Sequence, residues 1–364
     1  MSVPEPRENP ELYGQDAAVE VLRGALGSGR LPHGWLLTGP PGIGKATLAY
    51  RFARALLAGS EAVDRSLAMD PGHPVFRQVG QGGHPDLKVI EAPRDPKTGK
   101  VKSEINVDLV RAATSSLNTT AALGGYRILV IDGAETMNRN AANALLKSLE
   151  EPPAGAVLLL VSHHPARVAA TLRSRCAKLS LARLTDAEVE GALARYQPDL
   201  PETQQRVLAQ LSRGSIGRAL ELASDHWAEL YQRLVGCLAG RPLDRRAVNT
   251  LAAELARYAD TRSFAAPLGL IQELLSRVTA AAVERRLLPL FEGELQILDR
   301  LAQGRPLDRW GSLWEKVARL ATAVDTLNLD RRQALLHILT LLALASDSET
   351  ALAGSALGGS DGSG

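Results

Sequence analysis

Four things are scarce in this 364-residue sequence, and each absence excludes something. Cysteine occurs only at Cys176 and Cys237. That rules out a disulfide framework and a four-thiolate zinc site, and it fits a reducing compartment. Aromatic residues make up 4% of the chain, so cores must be built from Leu, Val, Ile and Ala. Net charge is small, +2 from 42 Lys plus Arg against 40 Asp plus Glu. Such a balance does not suit a protein that grips nucleic acid alone by bulk charge. No apolar run approaches the ~20 residues that span a bilayer. The best candidate, Ile338 to Ala345, reads as a buried helix face. The opening MSVPEPRENPELYG lacks the apolar centre of a signal peptide, and a cytoplasmic location is expected.

What is present is ordinary for a folded chain: 45% hydrophobic and 23% charged residues, at a length that suits two or three domains. The first 184 residues alternate strand-like and helix-like segments. Strands are expected at Gly34–Thr38, Asp86–Ile90, Tyr126–Asp132 and Ala156–Ser162. A helix is expected over Ala46–Leu57, and another over Asn138–Glu150 with Ala141, Leu145, Leu146 and Leu149 at helical spacing. Near-continuous apolar strands separated by helices predict an α/β domain, a parallel sheet with helices on both faces. Residues 59–84 show little periodicity, and 93–104 read as an exposed loop or hairpin. Its basic part, Lys97 to Lys102, reads as solvated rather than as a DNA contact. After Leu184 the strands stop. Thr185 and Glu188 form a capping box that opens an all-α lid, residues 185–240, broken at Pro198 and Gly214. Residues 241–350 predict an all-α C-terminal collar, where Trp310, Leu313, Trp314, Val317, Leu320, Val324 and Leu327 make one apolar stripe. Asp330 and Gln333 can cap the helix that follows. The Gly/Ser-rich tail, 351–364, is expected to be disordered.

Residues 39–47 read Gly39-Pro40-Pro41-Gly42-Ile43-Gly44-Lys45-Ala46-Thr47. The spacing follows a strand and precedes a helix, the setting a phosphate-binding loop needs. Glycines let backbone N–H groups turn inward around a phosphate, the helix N-terminus adds positive potential, and Lys45 supplies a point charge. Yet Ala46 stands where a hydroxyl would ligate Mg²⁺. Thr47 comes one residue late, turned by about 100° around the helix. Asp132, at a strand end, suits a magnesium-holding carboxylate. Gly133 follows it where a hydrolytic site would carry a water-orienting Glu, and Glu135 is expected to point elsewhere. Phosphoryl transfer rests on positioning and charge neutralisation, so these losses should weaken turnover more than binding.

The segments GPPGIGKAT, ILVIDGAETMNRNAANALLKSLEEPP and LRSRC together resemble the clamp-loader branch of the AAA+ ATPases, strongly over residues 8–225 and weakly beyond. The resemblance implies a five-subunit ring that opens a DNA sliding clamp and places it on primed DNA, with motor (gamma/tau) and delta subunits as partners and no membrane. Within Ser174-Arg175-Cys176 it implies that Arg175 acts as a finger toward ATP held by a neighbour. The bland alternative pairs Arg175 with a surface carboxylate. Ser162 and His163 fall in the sensor position after the fourth strand; adjacent His163 and His164 would leave a strand on opposite faces, which suits a sensor better than a metal site. Motor subunits carry four zinc-binding cysteines in the region matching 59–84, and this chain has none, so no structural zinc is expected. In Gly214-Ser215-Ile216-Gly217-Arg218, glycine occupies the place of the lid arginine. Ala46, Gly133 and Gly217 alter three nucleotide-handling positions at once. The resulting expectation is a stationary member that holds ATP and Mg²⁺ weakly or not at all. The competing readings are an active motor ATPase and a stand-alone DNA-binding adaptor. Cys176 is expected to be buried and inert, and Trp310 with Trp314 to pack rather than stack on bases.

Overall fold

The structure is a computed structural model and describes residues 4–91, 104–224, 227–239, 244–261, 265–283, 287, 289–303, 307–327 and 329–346. The chain divides into two compact units, Met1–Ser224 and Asp225–Gly364.

The first unit is built on a five-stranded sheet: β1 Gly34–Thr38, β2 Leu87–Glu91, β3 Arg127–Asp132, β4 Ala156–Ser162 and β5 Ala177–Ser180. Its order is β2-β3-β4-β1-β5, and every neighbouring pair is parallel. The parallel sheet and its helices are as the apolar runs predict. β1 and β4 are buried at every residue, as strands covered on both faces must be. The fifth strand, AKLS, escapes a sequence reading. It is short, lies at the sheet edge, and buries only Leu179.

Six helices alternate with these strands along the chain: α1 Asp16–Gly27, α2 Lys45–Ala58, α3 Pro74–Gly80, α4 Val107–Leu117, α5 Arg139–Glu150 and α6 Ala170–Arg173. Local chemistry sets their starts. Asn106 accepts the Leu109 N–H at 3.0 Å to cap α4, and Asn138 accepts the Ala141 N–H at 2.9 Å to cap α5. The α4–α5 layer covers one core, in which Leu129, Ile131, Leu145, Leu149, Leu158, Leu172 and Cys176 are buried together. The stretch 59–84 is more ordered than its composition suggests. His73 caps α3, and Phe76 of α3 lies beneath the Arg54 guanidinium, 4.3 Å from its ring centroid. The loop expected at 93–104, with Lys97 to Lys102, lies outside the described residues except for Glu104.

Three helices close the unit: α7 Asp186–Tyr196, α8 Glu202–Ser212 and α9 Ile216–Ser224. The Thr185–Glu188 capping box is formed in both directions. Gly214 has φ +75, and a Cβ there would sit 2.4 Å from the Leu184 oxygen, so the turn into α9 requires glycine.

The second unit is wholly helical among the described residues: α10 Trp227–Ala239, α11 Arg245–Thr261, α12 Ala265–Ala282, α13 Glu294–Ala302, α14 Leu307–Leu327 and α15 Arg331–Ser346. The stripe on α14 faces inward: Trp310, Leu313, Val317 and Val324 are buried, while Trp314 and Leu320 are half-buried. The side chain of Leu327 lies outside the described residues, as does the tail from 347. Asp330 accepts the Gln333 N–H at 2.8 Å at the start of α15.

Candidate functional site

The loop between β1 and α2 turns on three glycines in the left-handed half of backbone space: Gly39 at φ +147, Gly42 at +72 and Gly44 at +96. Gly44 delivers the chain directly into α2, whose first residue is Lys45. The Lys45 side chain is 3% exposed, and its ammonium donates to the Pro40 carbonyl of the same loop. Burial lowers its pKa to about 8, against the opposing pull of Asp132 and Glu135. A cavity of about 310 Å³ opens here. Gly42, Ile43, Gly44, Lys45, Ala46, Thr47, Asp132 and His163 all line it, whereas Gly39, Pro40 and Pro41 are not among its lining residues.

Of the acids near Lys45, Asp132 lines the cavity, and the fold brings Glu91 and Glu135 close behind it. Asp132 ends β3 directly beside Glu91, the last residue of β2, in the same register. Burial first, and then Glu91, raise the Asp132 pKa to about 6. Tyr50 of α2 reaches Glu91 at 3.4 Å. Glu135 does not line the cavity and turns under the sensor position. Its carboxylate accepts the His163 N–H at 2.9 Å and lies 3.9 Å from His163 Nδ1. Burial opposes its charge, but backbone N–H donors outweigh burial and keep its pKa below the usual range. The reason is local. Gly133 at φ +84 starts a tight turn over Ala134–Thr136, which swings residue 135 back toward β4. Ser162 is fully buried and accepts the His164 N–H at 3.2 Å. Burial, with Lys45 nearby, holds the His163 pKa below its ordinary value.

The far wall belongs to the N-terminal segment and the α7–α9 helices. Asn9 Oδ1 accepts from the Tyr196 hydroxyl at 3.1 Å, and Tyr13 meets the Tyr196 ring edge-on at 6.1 Å. Gln15, 4% exposed, donates to both Ile43 O at 3.1 Å and Ala182 O at 3.0 Å. Arg54 and Arg51, buried on α2, donate to the carbonyls of Arg7, Asn9 and Pro10 and so anchor the segment from below. The start of α9 touches the loop itself. Gly217 N–H donates to Gly42 O at 2.9 Å, and Ser215 Oγ to Pro41 O at 2.9 Å. A Cβ on Gly217 would lie 2.8 Å from the Gly42 Cα. These partners have no local motif. Only Glu91, one residue past an expected strand, could have been found by asking which side chains parallel strands bring together at their C-terminal ends.

The cradle fits a phosphate better than a metal. The glycine turns, the start of α2 and Lys45 suit an anion. Ala46 presents a methyl to the cavity where Mg²⁺ would need oxygen, so the donor set does not fit a magnesium ion held in the usual way.

Arg175 lies elsewhere. It precedes β5, and the β1–β5 register pairs Trp35 with Ala177 and Thr38 with Ser180. The phosphate loop leaves β1 after Thr38, so Arg175 stands at the opposite end of the sheet, roughly 15–20 Å along the strands at their ~3.3 Å rise. There its Nη2 pairs with Glu150 Oε1 at 2.6 Å, and its Nη1 donates to Thr171 O at 3.1 Å.

Comparison with known proteins places this arrangement. Residues 14–185 match the family model described as DNA polymerase III, delta subunit. The subunit delta' of Pseudomonas aeruginosa DNA polymerase III is 40% identical over 183 residues, covering 50% of this chain and 53% of that protein. Over this stretch the chain is similar to DNA polymerase III delta-prime subunits. The Escherichia coli subunit delta' is 37% identical over 212 residues, 57% of this chain and 60% of that protein. The tau/gamma subunit of Haemophilus influenzae is 28% identical over 222 residues, 60% of this chain and 30% of its own length. The chain thus spans only about half to three-fifths of the delta-prime relatives it matches. The family match, residues 14–185, takes in the loop, the acids and Arg175.

Proposed function

We propose that this chain is a delta-prime-like, non-motor subunit of a DNA polymerase III clamp loader. In this reading it joins motor (gamma/tau) and delta subunits, helps place the sliding clamp on primed DNA, and donates Arg175 to a neighbour's ATP. Its own pocket holds nucleotide weakly or not at all. The observation that carries the reading is the position of Arg175, at the sheet end opposite its own phosphate loop. A guanidinium there has no path to its own chain's γ-phosphate, so any triphosphate it serves is held by another subunit. Arg suits the task because it stays charged and offers several donors to phosphate oxygens. Fingers of this kind contribute about 10³–10⁵ in rate at the site they serve.

Three features support a stationary role for the chain's own pocket. Ala46 brings no hydroxyl, Gly133 brings no carboxylate, and Gly217 lies with its backbone against Gly42 where an arginine side chain has no room. The residues that remain can still hold phosphate: the glycine turns orient the loop, and Lys45 supplies the charge.

The test is Arg175→Ala in the reconstituted complex. Assembly should be unchanged, and ATP turnover with clamp and primed DNA should fall. Turnover at the wild-type rate would sink the finger role. Steady ATP hydrolysis by the isolated chain near ~1 s⁻¹, the low end of enzyme rates, would favour an active motor instead.

A further inference from the structure

The partner that holds Arg175 stands in an unfavourable place. Glu150 is the last residue of α5, at the helix end where backbone carbonyls make the potential negative and a carboxylate is disfavoured. Arg175 offsets this, with its Nη2 2.6 Å from Glu150 Oε1.

The pair projects from two fixed points. Leu149 and Cys176, the neighbours of Glu150 and Arg175, are 2% and 8% exposed and share one core cluster with Leu172. They close together over Gly34, where an added Cβ would lie 2.6 Å from Leu149 Cδ2 and 3.3 Å from Cys176 Sγ. His33 Nε2 bonds the Leu149 carbonyl at 2.8 Å and pins the end of α5 from the same side. The backbones are therefore held in place while the charged groups reach solvent, at 38% exposure for Arg175 and 48% for Glu150. A solvent-exposed arginine samples many rotamers, and ordering it at an interface costs conformational freedom. Here Nη2 is anchored to Glu150 and Nη1 to Thr171 O, while Nε–H has no partner among the described residues and stays available to an incoming oxygen.

We propose that Glu150 is a positioning residue for Arg175, holding the guanidinium extended and oriented for a neighbouring subunit's triphosphate. This inference rests on the trans-acting reading above. Electrostatics alone requires the opposite effect. A carboxylate beside the finger lowers the positive potential felt by the phosphate, so its removal by charge alone would speed hydrolysis. A loss on removal therefore marks positioning.

The experiment measures steady-state ATP turnover of the reconstituted complex with clamp and primed DNA, for Glu150→Gln, Glu150→Asp, Arg175→Ala and the Glu150→Gln/Arg175→Ala double variant. Glu150→Gln should lower kcat three- to tenfold with KM unchanged, and Glu150→Asp should recover part of the loss. The double variant should match Arg175→Ala, because Glu150 acts through the arginine. The urea midpoint of the isolated Glu150→Gln chain should equal the wild type's. If Arg175→Ala slows turnover while Glu150→Gln leaves it unchanged or raises it, the positioning role is overturned and the finger stands. A fall in midpoint with an additive double variant would assign Glu150 a structural role and also overturn it. If Arg175→Ala has no effect, the trans-acting reading fails and this inference with it.

Discussion

Replacing Glu294 by Gln tests how the second unit is held together. Glu294 is fully buried at the start of α13, and four donors converge on its carboxylate. Arg277 of α12 contributes Nε at 2.8 Å and Nη2 at 3.0 Å, Tyr231 of α10 its hydroxyl at 2.9 Å, and Leu290 its N–H at 2.6 Å. Three helices thus meet on one anion. Burial first, and the adjacent carboxylate next, push the Tyr231 pKa up, so its hydroxyl stays a neutral donor. Gln keeps the shape but removes the charge and turns an NH₂ toward groups that also donate. Arg277, 6% exposed, then stays buried without this carboxylate against it. Breaking one side of such a pair costs about 3–5 kcal/mol, a large share of a typical domain stability of about 5–15 kcal/mol. The matched replacement, Arg277→Met with Glu294→Leu, removes both charges but leaves the Tyr231 hydroxyl and the Leu290 N–H without this acceptor, so it should still destabilise, though less than Glu294→Gln alone. Tyr231→Phe should cost about 1.5–3 kcal/mol, the worth of one bond to a charged acceptor. Urea unfolding followed by tryptophan emission suits the question, since Trp227, Trp310 and Trp314 lie in this unit and only Trp35 in the other. A Glu294→Gln chain within about 1 kcal/mol of wild type would refute the reasoning, as would a double variant less stable than the single one.

Two further outcomes follow from the first unit. Gly217→Ala puts a methyl 2.8 Å from the Gly42 Cα, a contact with backbone that cannot rotate aside. It should cost about 1–3 kcal/mol and speed amide exchange in α9, and unchanged exchange would count against the close lid contact. Asp132→Asn should stabilise the chain at pH 7 by up to about 3 kcal/mol and have almost no effect near pH 3.5. The sign follows from the raised folded pKa of about 6. The folded state binds the proton more tightly than the unfolded one, so stability is lost as pH rises from the unfolded value through 6, and Asn escapes that loss. Urea midpoints at the two pH values measure the difference, and a larger gain at low pH would show the pKa displaced the other way.

Much of the site was legible because its chemistry is local. The turns at Gly39, Gly42 and Gly44, with Lys45 directly after, follow from residue type and spacing. So does the expectation that Ala46 supplies no metal ligand. Thr185 and Glu188 announce the start of α7 because a capping box closes within four residues. The partner Glu135 finds, the His163 N–H, was not legible because its direction depends on the left-handed Gly133 and a one-turn reversal after it, not on strand alternation. β5 was missed because a four-residue edge strand with one buried side chain carries almost no periodic signal.

Sequence alone decided which groups are available: a phosphate cradle without a hydroxyl beside its lysine, an arginine in LRSRC, and a lid with glycine at the loop-facing position. These follow from composition at a few adjacent places, where side chains and backbone cannot avoid one another. Tertiary structure decided which distant groups meet. Parallel pairing set Glu91 beside Asp132 and placed Arg175 at the far end of the sheet from its own loop. Core packing of Leu149 against Cys176 brought Glu150 to that arginine. Such pairings join residues about 25 to 41 positions apart, and only the register of strands and the burial of apolar faces bring them together.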